Sequence, residues 1–217
     1  MAVRVTRVAL IHALQQSIAP VNEEMARSWP ECVRMNLLDD SLSADLARAG
    51  GLDAAMTERF LRLADYAVRS GAEGILFSCS AFGPCIDAVA RRVAPRPVLK
   101  PNEAMIAEAV SAGGRVGLVA TFAPTLASMR PEFPPELDVR LALADGGLAA
   151  LQAGDAAGHD TLVTAAARRL VEEEGCTTIA LAQFSMARAA PMVAAAIGRP
   201  VLTPVASAVR ALRERCR

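Results

Sequence analysis

Two kinds of hydrophobic pattern alternate along this chain. Short apolar, β-branched runs fall at residues 4–11, 32–38, 74–78, 97–99, 115–120, 137–143, 178–182 and 200–202. Between them, apolar positions recur every three or four residues. In "MTERFLRLADYAV", residues 56–68, Phe60, Leu63, Ala64 and Ala67 share one helical stripe. Residues 161–174 behave alike, with charges in the last turns and Gly175 placed as a C-terminal stop. Further helices are expected at 85–93 and 205–217. Strand runs alternating with helical segments predict an α/β fold, parallel sheets flanked by helices.

The pattern also repeats. "RVALIHALQQSIAPV" from Arg7 lies over "RVGLVATFAPTLASM" from Arg115, which sets His12 opposite Ala120 and Ala13 opposite Thr121. "GILFSCSAFGPCIDAVARRVAPRPVLKP" lies over "TIALAQFSMARAAPMVAAAIGRPVLTP", and Cys79 falls opposite Gln183. A repeat this long is no solenoid unit. It predicts two pseudo-symmetric lobes, residues 1–100 with 205–217 and residues 101–204. Pro101 and Pro204 are expected at the crossings.

Open parallel sheets place ligand-facing loops at the carboxyl ends of their strands. If two such ends face each other they enclose a cleft lined by His12, Cys79 and Ser80 from one lobe and Thr121, Gln183 and Ser185 from the other. A cysteine between a strand end and a helix is expected to be held as thiolate by free N–H groups and the helix dipole. The turn "SAFG" offers Ser80 and the backbone N–H groups around Ala81 to an anion, and Thr121 and Ser185 add hydroxyls. A thiolate beside a carboxylate-bound carbon is a base for the α-proton or a nucleophile. Phe82, Phe122 and Phe184 adjoin these turns and are expected to make the pocket partly apolar. Ser185 also reads as a helix N-cap. His159 and Asp160, in "GDAAGHD" before the helix expected from residue 161, read as structural.

Composition removes other classes. Lys and Arg total 23 against 23 Asp and Glu, with no long basic run, so neither a nucleic-acid nor an anionic-membrane footprint is present. The apolar N-terminal run is short and interrupted by charge, unlike a secretory signal or a membrane span, and a cytoplasmic protein is expected. Five cysteines without a CxxC pair, and only two histidines, suggest neither a disulfide framework nor a zinc site.

The thiol turn "CSAFG", the opening "ALIHAL...APVNE", the segment "GLVATFAPTL" and the second turn "LAQFSMA" resemble the aspartate/glutamate racemase superfamily over essentially the whole chain. That superfamily includes hydantoin racemases, maleate isomerases and arylmalonate decarboxylases. The resemblance implies an isomerase without cofactor, acting on a small carboxylate or amide at the carbon next to that group. In the family one cysteine from each lobe flanks the substrate. Cys79 matches the first; Gln183 stands at the second, and an amide has no pKa suited to proton exchange with a carbanion. His12, whose ordinary pKa lies in the working range, is the candidate for a second acid–base group. The alternatives are a one-thiol decarboxylase or lyase, the family's decarboxylases carrying their thiol in the second lobe, and a non-catalytic binder of small carboxylates. Few arginines fall at strand ends, which disfavours free aspartate or glutamate as substrate. A homodimer is consistent with the resemblance.

Overall fold

A computed structural model of the chain describes residues 5–217; the start of the first expected strand, Arg4, lies outside them. The described chain divides into two compact units, residues up to Ala104 with Ala208–Arg217, and Met105–Ser207. The boundaries fall a few residues beyond Pro101 and Pro204.

The first unit contains β1 (Arg7–His12), α1 (Ile18–Ser28), β2 (Val33–Leu38), α2 (Leu42–Ala49), α3 (Ala54–Arg69), β3 (Gly74–Phe77), α4 (Gly83–Val93) and β4 (Val98–Leu99). Its sheet is parallel, in the order β2-β1-β3-β4. Asp53 caps α3, accepting a hydrogen bond from the Met56 N–H at 2.7 Å. The predicted stripe packs inward: Phe60, Ala64 and Ala67 join Ala9, Ile11, Ile75 and Phe77 in one core, with Leu63 half-buried beside them. Phe60 stacks on Phe77 at 5.3 Å between ring centroids.

After α5 (Glu103–Ala112), the second unit runs through β5 (Val116–Ala120), α6 (Ala123–Met129), β6 (Val139–Leu143), α7 (Gly147–Gln152), α8 (Ala156–Glu172), β7 (Thr178–Leu181), α9 (Ala190–Ile197) and β8 (Val201–Leu202). Its sheet repeats the first in order, β6-β5-β7-β8, again all parallel. One face packs on α8 and α9 through Val119, Ile179 and Leu181, and the other on α5 and α6 through Leu118, Ala120, Ala180 and Ala182. Gly175 ends α8 as expected, at φ +67°, with the Cys176 N–H bonded back to the Leu170 carbonyl at 3.0 Å. The final helix, α10 (Pro204–Arg215), returns to the first unit, where Arg213 binds the Ser28 carbonyl at 2.7 Å and Glu31 at 2.8 Å.

The central strands β1, β3, β5 and β7 are almost wholly buried, and the edge strands β2 and β6 are not. That distribution explains why the runs "VALI" and "GILF" read as continuous apolar stretches. Registers correspond as well: Val8 pairs with Gly74 in one sheet and Val116 with Thr178 in the other. Cys79 and Gln183, each five residues on, therefore hold equivalent places.

Candidate functional site

Cys79 follows β3 and precedes a single 3-10 turn, Ser80–Phe82, that leads into α4 with proline in its first turn. Its backbone remains extended, φ −126° and ψ 122°, so the strand's alternation of sides continues through it. Cys79 accordingly lies with Ile75 and Phe77 against the α3/α4 core, half-buried, while Ser80 and Ala81 are exposed. The electrostatics differ from the sequence expectation of a resting thiolate. Burial pushes the thiol up from the ordinary cysteine value, and the Ala81 N–H, which favours the anion, offsets only part of that. Cys79 rests as a protonated thiol with one backbone donor ready for its anion. Phe82 corrects another expectation: it is fully buried and packs on Phe60 at 4.9 Å, so it lines no pocket.

His12 is the last residue of β1 instead of the first beyond it, and it is buried. It projects to the sheet face opposite Cys79. Its Nδ1 lies 2.9 Å from Ser78 Oγ and 3.3 Å from Ser17 Oγ, and its Nε2 lies 3.0 Å from Asn36 Oδ1. The surrounding bonds constrain the ring from both ends. The Ile18 carbonyl accepts from Asn22 Nδ2 at 2.9 Å, and Asn22 and Asn36 then exchange amide bonds at 3.1 and 3.2 Å, which makes Asn36 Oδ1 an acceptor. From this end His12 Nε2 donates to Asn36; from the other, the Ser17 hydroxyl donates to the Leu14 carbonyl, so that Ser78 donates to Ser17 and accepts from Nδ1, and a neutral ring, with one N–H, serves one end at a time. Burial holds the imidazole below its ordinary pKa, and the bond to Asn36 opposes this only in part, so the ring is neutral.

In the second unit the structure brings Thr121 and Gln183 together. Gln183 Oε1 accepts from the Thr121 backbone N–H at 2.8 Å and from its hydroxyl at 2.9 Å. Both Thr121 donors expected to hold a substrate anion are thus engaged by the glutamine. Gly147, at the start of α7, makes room for this pair: a Cβ there would sit 2.8 Å from the Thr121 methyl. Phe122 is 48% exposed at the strand end and is the first-unit Leu14's counterpart, itself 47% exposed. Phe184 and Ser185 are half-buried in the 3-10 turn Phe184–Ala189. Ser185 is no cap; the position before that turn is Gln183, and the one before α9 is Ala189.

His159 and Asp160 also differ from expectation. They lie inside α8, which begins five residues earlier than its charge pattern implies because Asp155 caps it by accepting from the Gly158 N–H at 2.8 Å. Asp160 receives His159 Nδ1 at 2.8 Å and Arg188 Nε at 3.1 Å, tying α8 to the turn after Gln183. Among the described residues no group of three or more His, Cys, Asp or Glu side chains could hold a metal ion, and no helix is long and apolar enough to cross a membrane.

The family profile described as Asp/Glu/Hydantoin racemase matches residues 16–212. The chain belongs to that family. Racemases are isomerases, and the family places this chain among enzymes of that class. Its fold is shared with an aspartate racemase homologue from Pyrococcus horikoshii, at TM-score 0.75 and 16% identity over 98% of this chain and 99% of that one. The allantoin racemase of Klebsiella pneumoniae aligns at TM-score 0.73 and 18% identity, over 96% and 86% of the two chains. A glutamate racemase of Francisella tularensis, solved in complex with D-glutamate, aligns at TM-score 0.63 and 16% identity, over 96% and 80%. No curated protein matches the chain by sequence.

Sequence reasoning missed Ser17, Asn36, Ser78 and Gly147. A signal existed for two of them. Asn36 interrupts an otherwise apolar half of β2, and Ser78 stands where the repeat has Ala182.

Proposed function

We propose that this member of the racemase family catalyses proton transfer at a carbon next to a carboxylate or amide, with Cys79 as the acid–base group. One observation carries the reading: a half-exposed thiol at the carboxyl end of β3, with the Ala81 N–H toward its sulfur, has an amide and no second thiol at the equivalent position. The Cys79 thiol first gives its proton to solvent; the thiolate then takes the α-proton to give a thiol and an enolate, and the thiol returns a proton to the same face. Ser80 and the N–H groups around Ala81 are assigned to the substrate anion. Phe122, Phe184 and Ser185 are the second unit's candidates for binding, beside Thr121 and Gln183, which form a fixed pair. The strand-end cations Lys100 and Arg188 are paired with Asp87 and Asp160, which favours substrates lacking a second carboxylate.

The protonated resting state of Cys79 favours a second reading, one-thiol decarboxylation. There carbon dioxide leaves first, and the thiol donates its proton to the resulting carbanion. Deuterium incorporation at the α-carbon in D2O, measured over amino acids, hydantoins and substituted malonates with wild type and Cys79→Ala, tests both. Exchange without net inversion supports proton transfer from one face, and carbon dioxide release supports decarboxylation. Saturable binding without turnover, unchanged in Cys79→Ala, would leave a carboxylate-binding protein.

A further inference from the structure

The two units solve one mechanical problem in different ways. In the second, the turn residue is fixed by its own side chain, because Gln183 Oε1 bonds directly to Thr121. Cys79 cannot be fixed so, since a sulfur committed to a strong hydrogen bond is not free for chemistry. The residue before it is fixed instead. The Ser78 backbone N–H donates to the Ile11 carbonyl at 3.0 Å, as that of Ala182 does to Val119 at 2.8 Å, and what Ser78 adds is a hydroxyl 2.9 Å from His12 Nδ1 and 2.8 Å from Ser17 Oγ.

The fold does not require this arrangement. At the equivalent places the second unit has Ala120 for His12, Ala182 for Ser78 and Leu141 for Asn36, and it builds the same parallel sheet in the same strand order. Burying an imidazole and a hydroxyl opposes folding unless each is hydrogen-bonded, so apolar residues are the simpler solution for packing. We propose that Ser17, Ser78, His12 and Asn36 are positioning residues for the Cys79 turn, a role that rests on Cys79 being the acid–base group. Neutral His12, held by Asn36, hydrogen-bonds the Ser78 hydroxyl and fixes the peptide joining Ser78 to Cys79. That peptide sets the direction of the sulfur relative to the Ala81 N–H. Ser17, 2.7 Å from the Leu14 carbonyl, ties the loop after β1 to the same point.

The test compares wild type, Ser78→Ala, which copies Ala182, and Ser78→Thr, which keeps the hydroxyl. Two quantities are read: α-deuterium exchange, and the pH dependence of Cys79 alkylation by iodoacetamide, followed on the Cys79 peptide by mass spectrometry. Ser78→Ala is expected to slow exchange about tenfold through misdirection of the thiol, and to move the alkylation midpoint to higher pH. Ser78→Thr is expected to restore both. Exchange and midpoint both unchanged in Ser78→Ala would overturn the positioning role while leaving the proposed reaction intact. A shifted midpoint with no exchange by wild type on any probe would retain the positioning role and remove the reaction. Loss of folding in Ser78→Ala with normal behaviour of Ser78→Thr at both readouts, and no shift in the midpoint of residual folded protein, would make the network purely structural and overturn the proposal.

Discussion

The carboxyl ends of the two sheets share a backbone and differ in chemistry. Cys79 and Gln183 have nearly the same extended conformation, φ −126° and −130°, and each opens a 3-10 turn. Leu14 and Phe122 correspond equally well, at φ −141° and −137°. Around these matched positions, the first unit gathers a thiol, a neutral imidazole, two hydroxyls and two amides, whereas the second closes Thr121 onto Gln183 and has Ala120, Ala182 and Leu141 where the first has His12, Ser78 and Asn36. The duplicated framework therefore supplies position, and local side-chain exchange supplies chemistry. One end leaves its turn residue's sulfur with a single backbone donor, and the other holds its turn residue by two hydrogen bonds.

The strongest way to break this contrast is to remove the thiol proposed as the acid–base group. Cys79→Ala is expected to lower α-proton exchange by about a thousandfold, within the span of a general acid–base contribution, with little change in thermal stability. Gln183→Ala is expected to lower stability more than exchange. Equal losses of exchange in the two variants would mean that both units carry acid–base chemistry, and the contrast would fail.

Exchanging the chemistry sharpens it. Gln183→Cys places a thiol at both strand ends and abolishes two hydrogen bonds to Thr121, a loss of about 2 kcal/mol at roughly 1 kcal/mol per bond. Urea unfolding should show that loss. On a substrate already shown to exchange, chiral chromatography should then show net inversion where wild type gives exchange alone. A destabilised but folded variant with no inversion would mean that the glutamine is not what limits the second face.

Eight strands and the main helices were legible in the sequence because central parallel strands, covered on both faces, leave unbroken apolar runs, and because Phe60, Ala64 and Ala67 mark a helix by spacing alone. Cys79 and Gln183 were legible through the repeat. What stayed hidden depended on contacts between residues distant in sequence. The Thr121–Gln183 bond spans 62 positions, and the His12–Ser78 bond spans 66. The thiol's protonation was misjudged for a related reason. A strand-end position advertises N–H groups, but the desolvation that outweighs them comes from the core beneath. The start of α8 was missed because Asp155, not the charge-bearing GHD segment, supplies the cap.

A smaller effect is expected where the second unit is most tightly closed. Ala13 packs with Leu42 in the first unit's core, and the corresponding pair in the second is Thr121 with Gly147. The branched Thr121 side chain cannot retreat while both its donors are held, so Gly147→Ala forces a shift. Overpacking of this kind should cost about 1–2 kcal/mol, while Leu42→Ala in the first unit opens a cavity instead. A fully neutral Gly147→Ala, by urea midpoint, would show that Thr121 is free to move and that the clamp is loose.

The smallest expected difference is one of pH. His12 binds its proton less readily in the folded chain than when unfolded, because it is buried among neutral partners. The charged residue in its chain of contacts is Arg34, which donates to the Asn22 carbonyl at 2.9 Å. A lowered histidine pKa gives stability that is complete above the unfolded value of about 6.5 and declines as pH falls below it, since the unfolded chain then binds more protons. The depressed carboxyls, Asp45 beside Arg59 and Asp138 beside Arg115, act at lower pH: their stabilisation is present above the ordinary carboxylate range and is lost as pH falls through that range toward their lowered values. The interval from about pH 6.5 down to about pH 5 therefore reports His12. Urea midpoints should fall with acidification across it in wild type and stay flatter in His12→Gln. Because Ala120 replaces His12 in the second unit, the acid sensitivity should appear in amide exchange of β1 and β3 and spare β5 and β7; uniform sensitivity in both sheets would remove His12 as its source.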